Sequence, residues 1–144
     1  MTLRDLLIKH EGTGRKRGGR FFPYEDSVWK LTLGYGRNLE DIGISEEEAG
    51  VLLDNDIARV VAECRRSFGW FDGLDEVRQH VIISMVFNVG RPGFLGFKKM
   101  ISAIEKSDWQ MAAIEMLDSK WSEQVGRRAT ELAQMMKTGE DSKE

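Results

Sequence analysis

The chain has little of several residue types, and each scarcity removes a class of protein. Only one of its 144 residues is a cysteine, Cys64, so no disulfide can form within it and the fold does not depend on an oxidising compartment. Two histidines beside that lone thiol argue against a structural zinc site. Two prolines and a mostly helical pattern argue against a sandwich or barrel. Neither sign of charge dominates: 21 Lys and Arg against 24 Asp and Glu leave a net charge of -3. That balance gives no bulk attraction to polyanions, whereas nucleic-acid binders usually show a basic excess. No apolar run is long enough to span a bilayer. The opening MTLRDLLIKHEG has a short apolar run broken by Arg4, Asp5 and Lys9, unlike a signal peptide. The expectations are a protein made in the cytoplasm, with no metal or other cofactor, no nucleic-acid partner and no stable membrane association.

What remains is a chain able to fold. At 41% hydrophobic residues it can bury a core, and its length suits one domain or two small lobes sharing that core. Residues 2–11 read as a short helix. Thr2 caps it with Asp5 three residues on, and Leu3, Leu6, Leu7 and His10 recur at the spacing of one buried face. Glu11 then sits beside that apolar face, with Gly12 ending the helix in a left-handed conformation. Burial disfavours the charged form of a carboxyl, which is the tuning a general acid needs. The plainer alternative is a solvated glutamate in a last turn.

Residues 13–20, TGRKRGGR, form a mobile loop or hairpin tip. Its basic residues either touch anionic parts of a substrate or are simply solvated. It is no phosphate-binding P-loop, because no Gly-Lys-Ser/Thr follows and no strand leads into it. Residues 21–24 and 30–34 read as two strands of a hairpin whose turn holds Asp26. Leu31 and Leu33 alternate with Thr32; if the leucines pack inward, Thr32 faces a cleft. Two carboxylates and a hydroxyl gathered by a turn and a small sheet suit acid-catalysed cleavage of a glycosidic bond.

Ser45-Glu46-Glu47-Glu48 is a capping box that opens a long helix over residues 46–68, with Ala49, Leu52, Leu53, Ile57, Val60, Val61 and Cys64 as its apolar stripe. Residues 74–89 form the most apolar helix, ended by Gly90-Arg91-Pro92-Gly93; His80 on it reads as structural. Helices over 94–105, 107–117 (capped by Ser107) and 127–137 follow, then a polar tail.

Taken together, Glu11-Gly12, Pro23-Tyr24-Glu25-Asp26 and Thr32-Leu33-Gly34-Tyr35-Gly36-Arg37-Asn38 resemble the phage-type lysozymes, glycoside hydrolase family 24, the endolysins of tailed bacteriophages. Ile44 to Ala49 with Leu53-x-Asn55-Asp56-Ile57, Ser84 to Gly90, and Trp121-x-x-Gln124-x-x-Arg127-Arg128-Ala129 extend the resemblance over nearly the whole chain. The resemblance implies one α+β, mostly helical, lysozyme-like domain over 1–144. Its expected parts are a sheet-bearing lobe over 12–45, an inter-lobe helix over 46–68, a helical lobe over 69–138 together with helix 2–11, and a tail over 139–144.

It also implies a monomeric enzyme that hydrolyses the β-1,4 bond between N-acetylmuramic acid and N-acetylglucosamine in peptidoglycan glycan strands. Such an enzyme lyses the host bacterium, reaching the wall from the cytoplasm through a membrane lesion. Glu11 would be the general acid, and Asp26 would orient a water or stabilise positive charge on the sugar. Thr32 would help hold that water. Asn88 and Gln124 would bind sugar, and Arg128 resembles the arginine that pairs with the catalytic glutamate. A non-catalytic peptidoglycan-binding or structural protein of the same fold is the alternative. The sequence departs from the family pattern in three places: the longer loop between Glu11 and Asp26, Val28-Trp29 where a glycine is expected, and Arg37 where some members have His.

Overall fold

The computed structural model describes residues 1–142. It is mostly helical with a small antiparallel sheet component, as expected, and its chain contacts divide into two units, Met1–Leu52 and Leu53–Glu144. The boundary falls inside the long helix, and helix 2–11 groups with the sheet-bearing unit and not with the helical lobe expected for it.

The first unit opens with α1 (Leu3–Glu11), capped as the sequence predicts: the Thr2 hydroxyl accepts from the Asp5 amide and Asp5 accepts from the Thr2 amide. Gly12 ends it with φ 70° but an extended ψ of -166°, so the chain leaves along an extended path. The predicted buried face is not buried. Leu3 is 70% exposed, and Leu6, Leu7 and His10 are exposed with it.

Two short sheets follow. Strands β1 (Arg15–Arg17) and β2 (Arg20–Phe22) make a hairpin, so of the two readings of TGRKRGGR, loop or hairpin tip, the structure has the hairpin. Gly18 and Gly19 connect them with φ of 57° and 75°, the positive values that a tight two-residue turn matching strand twist requires. Pro23, which lacks an N–H, separates β2 from β3 (Tyr24–Glu25), so the single strand expected over 21–24 is split between two sheets. Strand β4 (Leu31–Leu33) lies between β3 and β5 (Arg37–Asn38), with Thr32 opposite Tyr24 and Asn38. The phase expected for β4 is inverted: Thr32 is buried, at 3% exposed, while Leu31 is 38% exposed.

Helix α2 (Glu46–Ser67) begins at the predicted capping box, with the Ser45 hydroxyl and the Glu48 carboxylate each accepting from the other's amide. Of its apolar stripe only Val60 and Cys64 are fully buried; Leu52, Leu53 and Ile57 are exposed.

The second unit holds the core. Helix α3 (Glu76–Leu95) supplies Val81, Ile82, Met85, Val86 and Phe94. It is interrupted at Gly90 (φ 77°, ψ 166°) and then resumes, because Pro92 falls in the first turn after the break, where its missing N–H is not needed. His80 on α3 is exposed, not part of the core. Helices α4 (Lys98–Glu105), α5 (Trp109–Leu117), α6 (Lys120–Val125) and α7 (Arg127–Thr138) complete the unit, with α5 and α7 packed together. Asp108, not Ser107, caps α5, its carboxylate accepting from the Met111 amide at 3.1 Å. Arg78 fastens the start of α3 to the end of α7 by donating to the carbonyls of Met136 (2.7 Å) and Lys137 (3.1 Å), while its guanidinium lies 4.2 Å from the Trp109 ring centre. Those carbonyls are orphans of a helix C-terminus, which a cation suits. Among the described residues no helix is long and apolar enough to cross a membrane.

Candidate active site

Glu11, Asp26 and Thr32 all belong to the first unit. Glu11 is the last residue of α1 and is exposed, not part-buried as the sequence suggested. Its carboxylate lies against the turn between β4 and β5. A β-carbon placed on Gly36 would stand 2.8 Å from Glu11 Oε2 and 3.0 Å from its carboxyl carbon. Gly36 also has φ 86°, so both the conformation and the close approach require glycine.

Asp26 and Thr32 meet at one residue, Lys30. Asp26 Oδ1 accepts from the amides of Val28 and Lys30, each at 2.9 Å. The Lys30 carbonyl accepts from the Asp26 amide and from the Thr32 hydroxyl, both at 2.9 Å. The carboxylate is thereby held in a fixed orientation with Oδ2 free of these contacts. Thr32 spends its proton on the carbonyl and keeps its oxygen lone pairs for a donor such as water. Sequence reasoning missed Lys30, whose part is played by its backbone and so leaves no side-chain signal.

The turn carrying Asp26 is unusual. Trp29, at the position where a glycine was expected, has φ 65° and is 77% exposed. Its amide donates to the Asp26 carbonyl at 3.0 Å. A left-handed conformation costs a residue with a β-carbon about 1–2 kcal/mol.

Two further devices hold this unit. Arg37 forms a two-pronged pair with Glu48 (Nη1 to Oε1 2.8 Å, Nη2 to Oε2 2.7 Å) and also donates to the Gly43 carbonyl. The Arg37 hydrogen bonds, with help from the Ser45 amide, bring the Glu48 carboxyl down to about 2. Arg37, the third departure from the family pattern, is thus a brace between β5 and the start of α2. On the β1–β2 hairpin, cross-strand pairing puts Arg15, Arg17, Arg20 and Phe22 on one face and Lys16 and Phe21 on the other. Arg17 lies 4.2 Å from the Phe22 ring centre, Phe21 meets Tyr35 edge-on at 4.9 Å, and none of the four cations has an acidic partner among the described residues.

The other three expected site residues lie in the second unit. The side-chain oxygen of Asn88 accepts from the Trp121 indole at 2.8 Å, leaving its amide nitrogen as a donor. Arg128 donates to the carbonyl and hydroxyl of Ser84 at 3.4 and 3.3 Å. Gln124 is exposed on α6 and makes no side-chain hydrogen bond among the described residues. A groove of about 580 Å³ along α7 is lined by residues such as Arg127, Glu131 and Gln134 and contains none of these groups. Cys64 is fully buried, and burial pushes its thiol up to about 11, so it is no nucleophile.

A small antiparallel sheet component followed by a helical unit is the architecture of the T4 lysozyme-like α+β class. The family model for phage lysozyme matches residues 15–137. Probable T4-type lysozyme 1 of Dictyostelium discoideum is 29% identical over 126 residues, 87% of this chain and 74% of that protein. Probable T4-type lysozyme 2 of the same organism is 29% identical over 99 residues, 67% of this chain and 58% of that protein. The pre-baseplate central spike protein Gp5 of Enterobacteria phage T4 is 28% identical over 99 residues, 67% of this chain and 17% of that protein. The chain belongs to the phage lysozyme family and is a peptidoglycan-hydrolysing lysozyme. The family match covers Asp26 and Thr32 and begins four residues after Glu11.

Proposed function

We propose that Glu11, Asp26 and Thr32 perform the hydrolysis, cutting the β-1,4 bond between N-acetylmuramic acid and N-acetylglucosamine. The carrying observation is that Asp26 and Thr32 are both fastened to Lys30, which leaves one carboxylate oxygen and one hydroxyl lone pair to hold a shared water. Glu11, seated on Gly36 two residues before β5 ends in Asn38, is the carboxyl that protonates the leaving oxygen. Asp26 orients the attacking water or stabilises charge on the sugar ring. Asn88, through its amide, and Gln124 donate hydrogen bonds to the glycan, with Arg128 completing the binding set. The Arg15, Arg17 and Arg20 face suits anionic groups of the wall.

In this reading the protein acts as a monomer in lysis of the host bacterium, reaching the wall from the cytoplasm through a membrane lesion. The similarity to a baseplate spike protein favours a second setting, digestion of the wall from a virion. The test is clearing of purified peptidoglycan by the parent and by Glu11→Gln, with analysis of the new ends. Clearing by the parent with new reducing muramic-acid ends, and at least a thousandfold slower clearing by the variant, is the expected result. A folded Glu11→Gln protein as active as the parent would remove Glu11 from the acid role, and equal glycan binding without cleavage by either would indicate a binding module.

A further inference from the structure

We infer that Trp29 is a sugar-stacking residue that positions a pyranose ring beside Asp26, an inference resting on the glycan-cleaving reading above. Of the four tryptophans, Trp121 is buried, Trp70 and Trp109 are partly buried against the core, and Trp29 alone is largely in water, at 77% exposed. A large apolar side chain is unfavourable there. So is the backbone, whose φ of 65° suits glycine far better than tryptophan. Two unfavourable features coincide at one residue, and local strain of this kind clusters at ligand-contacting sites.

The position of that residue gives the strain a use. The Trp29 amide donates to the Asp26 carbonyl, and the amides on either side of it, Val28 and Lys30, donate to the Asp26 carboxylate. The indole therefore leaves the same turn that fixes the carboxylate, so a ring stacked on it is placed at a set distance from Asp26. An indole is a rigid, flat, mostly apolar surface with few rotors to immobilise, and a pyranose offers a face of C–H groups to match it. Stacking of this kind holds ground state and transition state alike, so its loss raises KM and leaves kcat nearly unchanged.

Trp29→Gly is the discriminating variant. Glycine adopts the turn conformation freely, so the melting temperature stays at or above that of the parent, and lost binding cannot be ascribed to unfolding. Trp29→Asn, which also tolerates the left-handed region, serves as the second apolar-to-polar test. The expected result on solubilised glycan strands is a KM raised about tenfold or more in both variants, with Trp29→Tyr restoring most of the affinity. In parallel, N-acetylglucosamine tetramer changes the indole fluorescence of the parent and leaves that of Trp29→Gly unchanged.

Equal KM and equal tetramer affinity in Trp29→Gly and the parent would overturn the inference, and so would a parent that binds no saccharide. A fluorescence response to phosphatidylglycerol vesicles in place of the tetramer would overturn it in favour of a membrane contact through Val28 and Trp29. A parent that binds the tetramer through Trp29 but leaves peptidoglycan intact would support the inference while refuting the hydrolytic reading, so the two failures are distinct.

Discussion

The two units are held together by different physics. In the second, rings and methyl groups interlock: Phe94 is fully buried, with Phe68, Trp70 and Phe97 ring centres at 5.1, 6.4 and 6.2 Å. In the first, no apolar side chain among the described residues is fully buried, and Thr32 is the one buried polar residue among the described residues. What orders it is a set of specific hydrogen bonds: two capping boxes, the Asp26 turn, the Arg37–Glu48 pair and Glu40 accepting from the Leu31 amide at 2.9 Å. A buried hydrogen bond in a protein is in general worth about 0.5–1.5 kcal/mol net and a solvent-exposed one less, against about 1.5–3 kcal/mol for burying one large apolar side chain. Hydrogen bonds are weaker but directional, and the proposed catalytic groups sit where direction is fixed and apolar packing is thin.

The comparison breaks most severely in the second unit. Phe94→Ala leaves a void among three aromatic rings and should cost about 3–5 kcal/mol in urea unfolding. Leu31→Ala, on a partly exposed strand, should cost less than about 1 kcal/mol. A Phe94→Ala loss as small as that for Leu31→Ala would show that the rings do not carry the core.

Next in size is Gly36→Ala, which tests direction in the first unit. The added methyl group would stand 2.8 Å from Glu11 Oε2 at φ 86°, so the carboxylate must move. A displacement of about an ångström is expected to slow clearing of peptidoglycan about a hundredfold, while unfolding changes by about 1–2 kcal/mol, the cost of the left-handed conformation. Full activity would mean that the seat on Gly36 does not set the position of Glu11.

The smallest effect is local and depends on pH. The folded carboxyl of Glu48 lies at about 2, against an ordinary 4.5, because Arg37 and the Ser45 amide favour its charged form. The unfolded chain therefore takes up this proton more readily. The stabilisation is complete above about 4.5 and is lost as pH falls through about 2. In an NMR titration the Arg37 and Gly43 amide signals should shift with a midpoint near 2 in the parent. In Glu48→Gln they should not. A midpoint at 4.5 would mean that the pair is not formed in solution.

Helices whose signals are local were legible. Thr2 with Asp5 and Ser45 with Glu48 announce their caps within four residues, and α2 begins and ends close to where the sequence placed it. Harder cases were those with two equivalent local answers. Ser107 and Asp108 are adjacent cap candidates, and the carboxylate prevails. A six-residue helix, α6, gives too few turns for a periodic pattern to declare itself.

For the candidate site, the sequence by itself determined which groups are present: two carboxylates and a hydroxyl at spacings that resemble one family, on a chain with no metal-binding cluster of Cys and His. It also determined the turn chemistry, since an Asp followed by free amides two and four residues on can close its own loop. Only the tertiary structure decided which way those groups face. Strand β4 is three residues long, so alternation offers two phases of nearly equal hydrophobic merit. Pairing with Tyr24 and Asn38, together with the bond from Thr32 to the Lys30 carbonyl, selects the phase that buries the hydroxyl and exposes Leu31. Likewise, nothing in the order of residues puts Glu11 against Gly36. That approach joins a helix end to a turn 25 positions away, a contact that exists only once the chain has folded back on itself.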